Sequence, residues 1–367
     1  MKKKYVKINL SPLNRRLILI GTFSILLTLI FSLKNYPDLV EKYYSIGLYP
    51  YIRKGFQFLF NYIPFSIGDI LYVLLVISMI FGIFQIIRLL VKQQFKSAGF
   101  LFLGFILKVE IGVTAFYILW GINYFRQPAA QRLQLPNYEY SGAQLIAVTS
   151  MLIDSVNLSR AELNSSDIRS ANGDILKPSV KAIQNLVSFY PALAGTKPLA
   201  KSSLLSPLLN YIGTAGYYNP FTGEAQLNDH MPVFTRPFVA CHEMAHQMGF
   251  GAEDEANFAG FIAGKASDSN LLKYSSYYLA VQEFMEEVWR TDTVAFRQIK
   301  QKISPSVIKD LETEKAYWMK YQGKSAKLSS IFYDNYLKAN NQPGGLKTYN
   351  RMIKLTMAYY KKKDLVN

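Results

Sequence analysis

Cysteine is nearly absent from this chain, and the single one, Cys241, rules out an intrachain disulfide. It equally rules out zinc sites built wholly from thiolates. Histidine is almost as scarce, with three residues in 367. Charged side chains make up 18% of the chain, below the usual quarter, while hydrophobic residues reach 50% and aromatics 14%. So little charge beside so much apolar surface places part of the chain in lipid. Acidic residues number 25 against 41 basic ones, a net charge of +16. No groove-reading motif accompanies that charge, and the basic residues sit beside apolar runs. The pattern excludes a nucleic-acid partner and fits flanks drawn to anionic lipid.

What is present begins with three apolar runs. Leu17 to Leu33 carries no charge over 17 residues, which at about 1.5 Å per residue just crosses a hydrocarbon core. Lys2, Lys3, Lys4, Lys7, Arg15 and Arg16 precede it. A cleaved signal starts similarly, but Lys34-Asn35-Tyr36-Pro37 offers no small-residue cleavage site, so the run reads as an uncleaved anchor. A second span is expected at about 67–87, with Asp69 near its start. A third is expected at about 99–119, containing Lys108 and Glu110. These charges either make polar contacts between spans or sit near span ends. Nine basic residues flank the spans on the N-terminal side of the membrane and six on the other. This bias favours a cytoplasmic N-terminus and an extracytoplasmic C-terminal part. Tyr43 to Tyr62, rich in aromatics and scattered bases, suits an interfacial helix on the outer leaflet.

Residues 1–126 are therefore expected to form a membrane domain, and 127–367 a mainly α domain with a small β element. Ser141 is placed to cap a helix running to about Val156, and a second is expected over Val180–Phe189. Gly216–Asn228, with Pro220 and Gly223 at its turn, predicts a hairpin whose Glu224–Asn228 arm is an edge strand. A helix opens at Pro237 and runs to about Gly249. Later ones are expected over Ser275–Arg290, Ser304–Tyr321, Ser329–Lys338 and Tyr349–Lys361.

The Pro237 helix carries His242-Glu243-Met244-Ala245-His246. Histidines four apart project from one helical face, and a glutamate between them suits a general base for the water that zinc activates. Without a metal, the same pair is simply an exposed helical pair. An open zinc site needs a third protein ligand. Gly249 and Gly251 let the chain turn sharply, so Glu253 or Glu255 can return to the metal, with one Zn2+ per chain. If Glu253 opens a new helix, Asn257 lies one turn on and can hydrogen-bond to the site. Cys241 points off the metal face and is expected to be buried. Tyr217, Tyr218, His230 and Tyr349 have the chemistry to stabilise an oxyanion, and each equally suits a structural role. Glu224 lies on the strand expected to pair with an extended peptide; the bland alternative is that the hairpin only covers the core.

Gly249 resembles the turn glycine of metzincins, but Ala252 stands where their third histidine would be. Glu253-Asp254-Glu255-Ala256-Asn257 resembles the ExxA(N/D) element of gluzincins, which implies Glu253 as ligand and Asn257 as its support. Over nearly its whole length the chain is similar to a domain-of-unknown-function family, number 3810, of bacterial membrane proteins with a zincin-like C-terminal part. The matching segments are Pro64–Asp69, Trp120–Arg126, Tyr218–Ala225, the metal segment and Tyr336–Asn340. The expectation is a membrane-anchored zinc metallohydrolase acting on peptide or protein through Glu243. The alternatives are a non-catalytic scaffold with structural zinc, or a hydrolase of a non-peptide amide or ester.

Overall fold

The computed structural model describes residues 11–169, 172–188, 190, 195–345 and 352–363. The chain is mainly helical, with one small three-stranded sheet and three apolar helices near the N-terminus. Those helices are Pro12–Ser32, Ile67–Val91 and Phe95–Leu119. Ser11 caps the first and Ser66 the second, accepting the Asp69 amide at 3.0 Å. A helix of 25 residues reaches about 37 Å, enough to cross a bilayer with some tilt. The apolar flanks of all three are almost entirely uncovered by protein, as a lipid-facing surface would be.

Several charges inside these helices make polar contacts, two of them between helices. Glu110 of the third accepts from Ser24 Oγ of the first at 2.7 Å. Arg16 lies over the Phe100 ring, 3.6 Å from its centroid, and donates to the Phe100 carbonyl. Asp69 is buried and accepts from Ser203 Oγ at 3.1 Å, the Leu204 amide at 2.6 Å and the Tyr217 hydroxyl. It therefore ties the start of the second span to the C-terminal domain.

The segment expected to lie on the membrane is a π-helix, Val40–Leu48, continuing into an α-helix, Tyr49–Phe60. Tyr49, Arg53 and Gln57, each one turn apart, are buried. Tyr51, Phe58 and Leu59 stay exposed. One face is thus given to the C-terminal domain and the other is left open.

In that domain the Ser141 cap forms a full capping box with Gln144 at the start of Gly142–Ala161. Leu145, Val148, Leu152, Ile153 and Val156 follow at three- and four-residue spacing, all buried against Ala280, Val281, Phe284 and Val288 of the Asn270–Thr291 helix. Ser304 caps Pro305–Met319 as its sequence implies. The helix expected from Val180 begins earlier, at Asn172, and ends at Asn185. Pro178 lies inside it, and a proline there reads as a breaker from sequence alone.

The sheet departs from expectation. Strands β1 (Ala200–Ser202), β2 (Gly216–Asn219) and β3 (Glu224–Leu227) are ordered β1-β3-β2. β3 pairs in parallel with β1, and antiparallel with β2 across a turn where Gly223 has φ +69°. The Glu224–Leu227 arm is consequently the central strand, buried along its length, and not an edge. Its second partner is only three residues long, Ala-Lys-Ser, too short to show the alternation that signals a strand.

Two apolar cores result. The larger lies between the helices of the C-terminal domain. The smaller is rich in aromatics and joins the ends of the spans to that domain through Tyr49, Tyr117, Trp120, Tyr124, Phe125 and Tyr218.

Candidate metal centre

Pro237 in the first turn starts the helix Arg236–Gln247, and all but its first turn is buried. His242 and His246 lie one turn apart, with ring centroids 4.7 Å apart and Nε2 atoms 3.1 Å apart. The chain leaves the helix at Gly249, where φ is +88°, a conformation few side-chain-bearing residues adopt. Gly251 serves differently: a Cβ there would meet the Asn123 backbone oxygen at 2.9 Å, so its bare backbone admits the turn that follows the third span.

This turn delivers Glu253 to the histidines. Its Oε2 is 3.2 Å from His242 Nε2 and its Oε1 3.5 Å from His246 Nε2. One donor atom from each of the three residues falls within 4.8 Å of the others, and all three residues are buried. Glu255 goes elsewhere, to an ion pair with Arg132 and the Ala129 amide at 2.6 Å. The geometry therefore separates the two candidate carboxylates. Glu253 faces the histidines, and Glu255 holds the linker after the third span.

The rings are aimed from behind. His242 Nδ1 meets Asn257 Oδ1 at 2.7 Å, and His246 Nδ1 meets the Phe250 carbonyl at 2.7 Å. Each acceptor fixes the proton on Nδ1 and turns the Nε2 lone pair toward Glu253, as a metal ligand requires. Two imidazoles and a carboxylate are a donor set of the kind that can hold zinc. Burial disfavours charge on His246, but Glu253 overrides it and lifts the ring to about 9. Burial alone would raise Glu253, yet the two histidines pull it well below the usual carboxylate range.

Glu243 sits beside this cluster with its carboxylate buried. Burial pushes it up to about 7, the histidines pulling down and Glu253 pushing up more weakly. No described residue donates a hydrogen bond to it. Gly216, at the start of β2, passes so close that a Cβ would lie 3.0 Å from Glu243 Cγ and Oε1. Cys241 is buried on the other side of the helix, against the Ser179 carbonyl.

The remaining predicted contacts are not brought to the cluster. Tyr217 donates to Asp69 and stacks on Tyr72, with ring centroids 5.7 Å apart. Tyr218 is buried, its hydroxyl 3.4 Å from that of Tyr49. The Glu224 carboxylate is committed to Lys201 Nζ at 2.6 Å and to the Gly68 amide at 2.6 Å. It anchors the first turn of the second span and faces these partners, not the cluster. His230 is half-exposed beside Asp229 and Asn210. Tyr349 lies outside the described residues.

Sequence reasoning missed the groups that distant segments contribute. Tyr333, on the helix Lys324–Ala339, donates to Glu253 Oε1 at 2.8 Å. Trp120, at the end of the third span, donates to the His246 carbonyl at 2.9 Å and packs edge-on to the His246 ring. Tyr49 donates to the Gln247 carbonyl at 2.8 Å and Arg126 to that of Gly249 at 2.7 Å. The membrane end of the molecule thus donates to carbonyls at the end of the His242–His246 helix and in the turn after it, beside the local bonds from the amides of Met248, Gly249 and Phe250. The one signal in the sequence is the aromatic density around Tyr49 and Trp120.

No curated protein and no solved structure matches this chain. Residues 44–357 match the model of a family described as "Protein of unknown function (DUF3810)". With most of its length covered by that match, the chain belongs to this family of unknown function.

Proposed function

We propose that the protein is a membrane-anchored zinc-dependent hydrolase of the gluzincin kind, and that its substrate is a peptide or protein. The observation that carries this reading is the convergence of His242, His246 and Glu253 next to a buried, unengaged Glu243. Zinc, when bound by the three, supplies Lewis acidity that polarises a carbonyl and makes water more acidic. The chain's own groups do the rest. Asn257 and the Phe250 carbonyl hold the imidazoles in the ligating tautomer. Glu243 has a carboxyl tuned near neutrality, suited to taking a proton from the attacking water and passing it to the leaving amine. β3 is central and β1 and β2 are the two outer strands among the described residues; of these, β2 begins at Gly216 against Glu243. An extended peptide pairing there would be carried past the base. In the cell, the positive-charge bias supports an N-terminus in the cytoplasm and a metal centre outside it.

A structural zinc site is the second reading, favoured by the near-complete burial of the cluster. It gives no use to Glu243, a buried carboxylate to which no described residue donates and whose burial costs free energy. Glu243→Gln separates the two. Under the hydrolase reading both proteins hold one zinc, and the variant loses about 10²–10⁴-fold in kcat on a peptide and ester panel. Equal hydrolysis by both proteins contradicts the reading.

A further inference from the structure

The helix Lys324–Ala339 buries a single side chain, Leu337. At about 100° per residue, Leu328, Ile331 and Phe332 fall on the opposite face. They are 56%, 51% and 69% exposed, an apolar stripe no described residue covers. The surroundings of this stripe say what covers it. Phe116 and Tyr117, in the last turn of the third span, hold the helix from its inner side. The Phe116 and Tyr336 rings are 6.2 Å apart, and Tyr117 donates to Asn340 Oδ1 at 2.9 Å. Those two residues lie about 3–5 Å inside the apolar end of the span, so the C-terminal end of the helix, at Tyr336 and Asn340, stands at the level where hydrocarbon begins. Ile118, likewise exposed, continues the apolar surface of the span. Lys320, Lys324 and Lys327, all exposed, stand at the start of the helix, where phospholipid headgroups would receive them.

We propose that this helix is seated in the membrane boundary with Leu328, Ile331 and Phe332 among acyl chains. Because Tyr333 on the same helix holds Glu253, the seating places the metal centre next to lipid. If the hydrolase reading holds, the substrate is then a membrane-anchored or juxtamembrane segment.

The test uses the full chain in nanodiscs of mixed zwitterionic and anionic phospholipid. Single cysteines Phe332→Cys and Ile331→Cys carry a fluorophore, with Val294→Cys as the reference. Val294 is exposed on a helix that packs on Gly142–Ala161 and Asn270–Thr291. Native Cys241 stays unlabelled, since burial pushes its thiol up to about 12. Labels at 331 and 332 are expected to be quenched by nitroxide lipids and shielded from aqueous iodide, and the reference to show the reverse. Quenching by iodide equal to that at 294 overturns the proposal, as does protection from both quenchers, which would mean a protein partner. These readouts need neither zinc nor turnover, so they stand apart from the hydrolase reading. Phe332→Asp then addresses the substrate: cleavage of a lipid-tethered peptide should fall about tenfold, the scale of one apolar side chain leaving lipid. Cleavage of the same peptide in solution should not change. An equal fall for both refutes a membrane-held substrate.

Discussion

The two cores of this molecule hold the same helix, the one that carries His242 and His246, by different means. The larger packs Ala240, Cys241, Met244 and Ala245 against neighbouring helices of the C-terminal domain, and it fixes how the helix is rotated. The smaller is aromatic and hydrogen-bonded, and it grips the helix by its last backbone carbonyls through Tyr49, Trp120 and Arg126. Shape-filling contacts set the direction in which His242 and His246 point. Directional bonds from the membrane end set where the helix stops and so where Glu253 arrives. Ligand geometry should therefore respond to changes in either core, and stability should respond differently.

The largest expected effect comes from the smaller core. Arg126 is buried, pairs with Glu41 at 2.6 Å, and also donates to Tyr190 and the Gly249 carbonyl. Arg126→Met strands the Glu41 carboxylate, and a loss of about 3–5 kcal/mol is expected, read as a fall in the thermal midpoint in detergent. The double change Arg126→Met with Glu41→Leu should recover much of it; no recovery would show that the ion pair is not what stabilises the junction. Next is the contrast between Asn257→Ala and Trp120→Phe. Asn257→Ala should weaken zinc binding about 10–100-fold with a small effect on unfolding. Trp120→Phe removes the donor to the His246 carbonyl, so about 1–3 kcal/mol of stability should go with the affinity. Identical profiles for the two would erase the distinction between the cores. Ser141→Ala, on the far side of the larger core, should cost about 1 kcal/mol and leave zinc affinity unchanged.

The smallest effect is in pH dependence, and the two regions should respond with opposite sign. Burial raises the Glu41 carboxyl, but its bonds to Arg126 and Tyr190 prevail and hold it below the usual 4.5. Its contribution is present above 4.5 and lost as pH falls through the lower folded value. Glu283, on Asn270–Thr291, is pushed up to about 7 by burial first and Glu286 second. Its contribution is complete below 4.5 and lost as pH rises through about 7. Glu283→Gln should flatten the loss between pH 5 and 7, and Arg126→Met the loss below 4.5. Unfolding midpoints across pH 3–8 check both.

What the sequence reveals follows from distance along the chain. His242, Glu243, His246, Glu253 and Asn257 lie within 16 residues, so helical spacing and a glycine turn suffice to bring them together. The three apolar helices and the Ser141 and Ser304 caps are legible for the same reason, because each is a local pattern. Trp120, Arg126, Tyr49 and Tyr333 are brought in from 80 to 198 positions away, and no local periodicity records that. Glu224 shows what this hides: its amide partner at Gly68 is 156 residues distant. β1 escapes notice because three residues carry no period, and its pairing turns an expected edge into the centre of the sheet.

The most direct test of the metal centre is zinc content by elemental analysis of the full-length protein purified in detergent. The wild type, Glu253→Gln and Glu255→Gln are compared side by side. The geometry predicts about one zinc per chain for the wild type and for Glu255→Gln, and a loss of it for Glu253→Gln. A wild type without zinc, or a Glu253→Gln protein that keeps it while Glu255→Gln does not, would contradict the site described.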